Sequence, residues 1–390
     1  MIKFGIIGTL LLLTSLAQAA AKEATTKETM AKFLDEFLGL KKYLVSDEEF
    51  QDPKNFVEIS TRLKSLAKAI KKTSHDPILN QENFKFSREV LEDHISETER
   101  VFRLGNKSYA RWMTNSTLGI CMGCHTQVPT QSRNFAIFTK TNSFTSNFDR
   151  AEFMFATKNF EGANALYDDL VTSFPKNGVS PDRLEKSIQR EISYFIRVKR
   201  DFSLAKSKID DFRKNKQLPE SIVRNLNAWS EQIGKWQKKK LPDSVSSKAK
   251  EIVSFAEANL SLEANQSKIE YADPRFISSL IVSGILYEFL QKNPSSPEVP
   301  KILYWLAVID REITNSPFYS LSDLYLKECM LKYPEDKIAI SCYKEYEAEM
   351  VFGYTGSGGT NIPREILEDL KYLKNYVESK GKIPLKRSVP

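Results

Sequence analysis

Cys121-Met122-Gly123-Cys124-His125 brings two thiols and an imidazole into one short run. On a helix, positions 121, 124 and 125 fall on one side of a single turn. Two thiols so spaced can bond the two vinyl groups of a haem, and the histidine after them can supply an axial nitrogen to its iron. The same letters also fit a zinc site or a redox dithiol. Zinc needs further ligands, but the chain has only 3 histidines, and its other two cysteines, Cys329 and Cys342, lie far downstream. A dithiol of the thioredoxin kind comes after a strand, whereas Lys107 to Ile120 reads as helix. One covalently attached haem c is the expected cofactor, with Cys121 and Cys124 as the thioether carriers and His125 as the proximal iron ligand.

The segments before the motif carry helical patterns. Met30, Phe33, Leu34, Phe37, Leu38 and Tyr43 form one apolar stripe, with Thr25 or Thr26 as its cap. After a loop through Asp52-Pro53, Phe56, Ile59, Leu63, Leu66 and Ile70 form a second. A third runs from about Ser87 with Val90, Leu91, Ile95, Val101 and Phe102 inward, and Gly105-Asn106 stops it. A fourth starts at Lys107 and carries Tyr109, Trp112, Met113 and Leu118 into the motif. Four helices joined by short loops predict an up-down-up-down bundle.

A four-helix sequence with C-x-x-C-H on its last helix resembles the class II c-type cytochromes, the cytochrome c prime group. The resemblance covers residues 25–130. Class I cytochromes place the motif near the domain start and a methionine ligand well downstream, the reverse of the order here. Family members usually have Arg or Lys soon after the histidine. This chain has Thr126-Gln127-Val128-Pro129 instead, so its last helix should end early. The resemblance implies a distal iron ligand from a methionine at the start of the first helix, which is Met30. His94 competes from its own spacing, since it shares an inward face with Val90, Leu91 and Val101; it is an alternative distal ligand, a propionate partner or a core histidine. His75, beside Ser74 and Asp76, reads as a solvated loop residue, and Met113 as packing.

The chain ends and composition set the context. Lys3, the apolar run Ile6 to Leu13 and Ala17-Gln18-Ala19 have the pattern of a secretory signal over residues 1–19. The expected mature protein is periplasmic, with no membrane span. In such a compartment Cys329 and Cys342, thirteen apart across a Tyr333-Pro334 turn, are expected to form a disulfide. With 41% hydrophobic and 27% charged residues the chain is ordinary globular material. Its net charge of +7 includes a basic excess near the motif (Arg103, Lys107, Arg111, Arg133, Lys140, Arg150). This reads first as solvated surface and second as a steering field, and nothing in it calls for nucleic acid. Lys235 to Lys240 reads in the same way.

Residues 131–147 form a polar linker, with a short strand expected at Phe135 to Phe138. Residues 148–390 read as paired helices. Phe160-Glu161-Gly162-Ala163, then Tyr167, Leu170 and Pro175, resemble the second helix of a tetratricopeptide repeat. Related spacing recurs at 202–212, 285–294 and 324–334, and Tyr304-Trp305-Leu306-Ala307 resembles a first helix. The fold class expected is therefore all-α: a four-helix haem bundle with a tetratricopeptide-like helical-hairpin solenoid after it. Tyr354 to Thr360 lacks the Lys of a phosphate loop and reads as a flexible link. No nucleophile–base pairing stands out, so an enzyme reading has little support. The leading function is electron transfer, with the repeats docking a redox partner protein; a homo-oligomer is left open. Gas binding at a five-coordinate iron, and a repeat scaffold stapled by haem, are the alternatives.

Overall fold

The computed structural model describes residues 28–44, 47–72, 82–127, 144, 146–244, 247–260, 275–314 and 321–384. The expected signal, His75, Arg133, Lys140 and the expected strand at Phe135 to Phe138 lie outside these residues. The described residues are all-α apart from one hairpin of two-residue strands. Among the described residues no helix is long and apolar enough to cross a membrane. Two compact units meet within the chain between Thr117 and Leu118, earlier than the boundary expected at residue 130.

The first unit holds α1 (residues 28–44), α2 (Asp47–Gln51), α3 (Phe56–Lys72), α4 (Glu82–Arg103) and the first part of α5 (Lys107–His125). The apolar stripes read from the sequence are its core. Phe33, Phe37 and Leu40 of α1, Ile59, Leu63 and Leu66 of α3, Ile95 and Phe102 of α4, and Met113 of α5 are all buried. Polar contacts fix which faces meet. Arg62 on α3 crosses to Glu36 on α1 at 3.1 Å, and Gly39 leaves room for its guanidinium. Leu44, at the end of α1, has a carbonyl that accepts from Arg111 Nε at 3.1 Å and Nη2 at 2.8 Å. Lys107 donates to the Gln51 carbonyl at 3.0 Å. Two members of the basic excess are thus engaged in closing helix ends. The short α2 comes just before the loop expected through Asp52-Pro53, and Trp112 on α5 is 41% exposed and stacked on Tyr109.

The second unit continues α5 and adds α6 (Asn147–Ala156), α7 (Phe160–Thr172), α8 (Pro181–Ser193), α9 (Phe202–Phe212), α10 (Glu220–Trp236), α11 (Ala249–Leu260), α12 (Arg275–Lys292), α13 (Val299–Thr314), α14 (Leu321–Lys332), α15 (Ile338–Gly353) and α16 (Arg364–Glu378). Helices pack on their sequence neighbours, as with α6 on α7, α12 on α13 and α14 on α15. Some also touch the helix after next, as with α13 and α15 or α14 and α16. Several helices start where the sequence supplies a cap. Ser146, Asn159, Ser180 and Asp201 each accept an N–H from the first turn of α6 to α9. α8 runs into a π-helical turn, Tyr194–Lys199, that ends at Arg200 in the left-handed region. This turn buries Arg197 against the Tyr287 ring, 5.3 Å away. The segment expected as a flexible link instead pairs β1 (Thr355–Gly356) with β2 (Gly359–Thr360) antiparallel. Gly359 supplies the positive φ, 98°, that closes this tight turn.

Cys329 of α14 and Cys342 of α15 are fully buried and joined as a disulfide, with Cα atoms 6.4 Å apart. Replacing both with Ala should lower the unfolding free energy by about 3 kcal/mol, the scale for a loop of this length. Urea unfolding of oxidised wild type against the double variant measures it.

Glu191 on α8 is fully buried, with Lys208 at 4.0 Å as its nearest cation. Burial pushes its carboxyl up from about 4.5 to about 8, so the folded unit keeps a proton that the unfolded chain has released. The associated stability is complete below the unfolded value and is lost as pH rises through the folded one. In Glu191→Gln the fall in unfolding free energy between about pH 5 and about pH 8 should shrink by about 1–3 kcal/mol. Denaturant titrations at the two pH values test this.

Candidate metal and cofactor site

The motif occupies the last turn of α5, and its immediate surroundings belong to the second unit. Met122 is buried with Phe148, Ala151, Phe155 and Phe160 of α6 and α7, and Cys121 and Leu118 pack against the same cluster. This packing explains why the division between units falls before the motif. α5 stops at His125, as the sequence after the histidine predicts. Positions 121, 124 and 125 share one turn. Cys121 is partly exposed, while the side chain of Cys124 lies outside the described part of the chain.

His125 is held by a backbone carbonyl. Its Nδ1–H donates to Ala156 O at 2.5 Å. Ala156 is the last residue of α6, and the way that helix ends leaves this carbonyl available. Thr157 caps α6, Lys158 enters the left-handed region at φ 63°, and the chain turns back. Lys158 N–H then bonds Phe155 O at 3.1 Å and Asn159 N–H bonds Met154 O at 2.8 Å. These are the two bonds of a Schellman closure. They use the carbonyls of Met154 and Phe155 and leave that of Ala156 outside the closure. On the far side, Asn159 accepts from Gly162 N–H at 3.2 Å and starts α7. A Cβ at Gly162 would meet the Met154 methyl group and the Asn159 amide.

The bond fixes the tautomer. With the proton on Nδ1, Nε2 carries a lone pair directed away from the Ala156 contact. Burial is the first cause, and the Lys158 ammonium the second, that push the ring down to about 3. His125 is thus a neutral imidazole at every ordinary pH. A neutral imidazole whose second nitrogen donates to a carbonyl is the form in which histidine binds a metal. The residues present therefore fit a haem iron axially ligated by His125, with Cys121 and Cys124 as its covalent carriers. Among the described residues, no group of three or more His, Cys, Asp or Glu side chains gathers as a metal site.

The two distal candidates lie in the first unit. Met30 is half-buried in the opening turn of α1. His94 is fully buried on α4, where its Nε2–H donates to Met113 O at 2.8 Å with Thr117 Oγ1 at 3.1 Å. Burial holds its ring neutral, down to about 4. His94 thus fastens α4 to α5 as a core histidine, and Met113 is buried packing. The sequence did not disclose the Ala156 acceptor. Its only trace there is the Thr157-Lys158-Asn159 break between two helical patterns.

Comparison with protein-family models, with curated proteins and with solved structures finds no match.

Because the folded ring of His94 is neutral and the unfolded one titrates near 6.5, its contribution is present above that value and is lost as pH falls toward 4. His94→Ala should cost the first unit about 2–3 kcal/mol near neutral pH and flatten this acid-side loss. Circular dichroism melts across that range read both effects.

Proposed function

We propose that this chain is an exported monohaem c-type cytochrome that carries single electrons, with its haem held by Cys121, Cys124 and His125 at the end of α5. The observation that carries the reading is the His125 Nδ1–H bond to Ala156 O, which readies Nε2 of the histidine in a C-x-x-C-H motif for iron. A bound haem supplies a reversible one-electron change at its iron. The chain's own residues do the rest. The end of α6 fixes the ligand's tautomer and orientation, and the cluster of Met122, Phe148, Phe155 and Phe160 keeps water from that side of the motif. Of the two distal candidates, Met30 is the proposed sixth ligand, since His94 Nε2 is committed to Met113.

The first unit's four long helices are proposed to form the class II-type bundle, with Arg62–Glu36 and His94–Met113 as its cross-ties. The second unit is proposed to be a tetratricopeptide-like array, supported by helices that touch their first and second sequence neighbours. Its role is to dock a redox partner protein. The buried Cys329–Cys342 disulfide supports an oxidising compartment, and with the amino-terminal signal pattern it supports a periplasmic setting.

Expression with haem-attachment machinery should give a haem that stays with the chain under denaturing conditions, and Cys121→Ala with Cys124→Ala should release it. The ferrous protein of a six-coordinate carrier should bind CO slowly. Prompt CO binding would overturn the closed carrier and favour the five-coordinate, gas-binding alternative. Failure to attach haem would remove the proposal altogether.

A further inference from the structure

The face of α6 that joins the cluster around the motif is apolar with one exception. At about 100° per residue, Phe148, Ala151, Glu152, Phe155 and Ala156 share one side of the helix, and Glu152 falls between Phe148 and Ala156 on it. The other four belong to the buried cluster that holds Met122, and Glu152 itself is only 8% exposed. Its carboxylate is met from the two helices that follow. Tyr167 of α7, fully buried in that cluster, donates its hydroxyl to Oε1 at 2.6 Å. Arg190 of α8 donates Nε to Oε1 at 3.0 Å and Nη2 to Oε2 at 3.4 Å. A buried ion pair adds little net stability over apolar residues of similar volume, because both charges lose their water. What it adds here is direction.

That direction matters because of what lies one turn further on. Glu152 precedes Ala156 by one helical turn, so the two sit one above the other on α6. The Ala156 carbonyl accepts from His125 Nδ1–H at 2.5 Å. α6 is only 10 residues long, too short to hold itself, and takes its orientation from packing. Apolar packing is non-directional and permits small rotations of the helix about its axis. A rotation of about 25° shifts backbone atoms by about 1 Å at the helix radius, which carries a carbonyl to the edge of hydrogen-bond range. We propose that Glu152 is a positioning residue for His125: its bonds to Tyr167 and Arg190 fix the rotation of α6 and so aim the Ala156 carbonyl at the ring. Glu152 acquires this role through the reading of His125 as an iron ligand given above.

The test is the apolar exchange Glu152→Leu, Tyr167→Phe and Arg190→Met, made together in the full-length protein expressed with haem-attachment machinery and kept reduced. The His125 Nδ1 proton, read by NMR with isotope-labelled histidine, reports the bond, and the thermal midpoint reports stability. The triple variant should melt within about 5 °C of wild type, since apolar side chains replace both charges and leave neither unpaired. Its ring proton should nevertheless resonate upfield and exchange with solvent roughly threefold to tenfold faster, the scale of one weakened hydrogen bond. Tyr167→Phe alone, which keeps the packed ring and removes one tie, should move it in the same direction by less. The Cys329→Ala, Cys342→Ala variant is the counterpart: it lowers stability away from α6 and should leave the ring proton as in wild type. A ring proton unchanged in the α6 variants, or one that follows stability in every variant, overturns the inference. A wild type without covalent haem overturns the haem reading instead, and the ring proton then still decides whether Glu152 governs His125.

Discussion

One hydrogen bond, from His125 to the carbonyl of Ala156, ties the end of α5 to the end of α6 and settles the state of the motif's histidine. Its existence stems from how helices terminate. A Schellman closure satisfies some of the last carbonyls and leaves others. At α6 the one outside the closure is aimed at an imidazole whose other nitrogen is the one that matters chemically. Around this bond the aromatic cluster of α6 and α7 closes on Met122, and the compact unit begins at Leu118. The motif is thus anchored by helices that lie downstream of it in the chain.

The two units carry opposite responses to acid. In the first, a buried neutral histidine, His94, bridges two helices through a backbone carbonyl, and protonating it breaks that tie. In the second, buried carboxyls hold their protons: Glu191, and also Asp310 and Glu349, whose environments push them up to about 7 and about 8. Burial is the main cause in each case, and it always disfavours the charged form. The sign differs because an imidazole gains charge on protonation and a carboxyl loses it. Mildly acidic to neutral conditions satisfy both.

Much of the helical architecture was legible because each helix has one face to hide. The stripes through Phe33, Phe37, Ile59, Leu63, Ile95 and Phe102 are the buried residues of the first unit. The pairing of Cys329 with Cys342 was also readable, from their spacing across a turn. Features set by backbone closure were not. The π-helical turn at Tyr194–Lys199 has no periodic signature, the hairpin at Thr355 to Thr360 rests on two residue pairs, and α2 is too short to show a stripe. The motif's letters announced its chemistry, but the carbonyl that orients its histidine has no letter at all, since any residue at 156 would present one. Lys107 and Arg111, read as solvated surface, close helix ends instead, because the last carbonyls of a helix lack intrahelical donors and a long cationic side chain can supply them.

The Ala156 carbonyl lies 31 residues downstream of the histidine it holds. That separation orders the events of maturation under the proposed function. The two thiols stand close together in the chain before anything folds, so covalent attachment needs only the local sequence. The acceptor for His125 exists only once α6 has formed and closed. Before then the His125 ring has no acceptor at Ala156, and either of its nitrogens can carry the proton. Folding of the downstream helices is then what supplies the acceptor and sets the tautomer of His125. The distance along the chain between His125 and its support thus makes the state of the motif depend on helices that come after it.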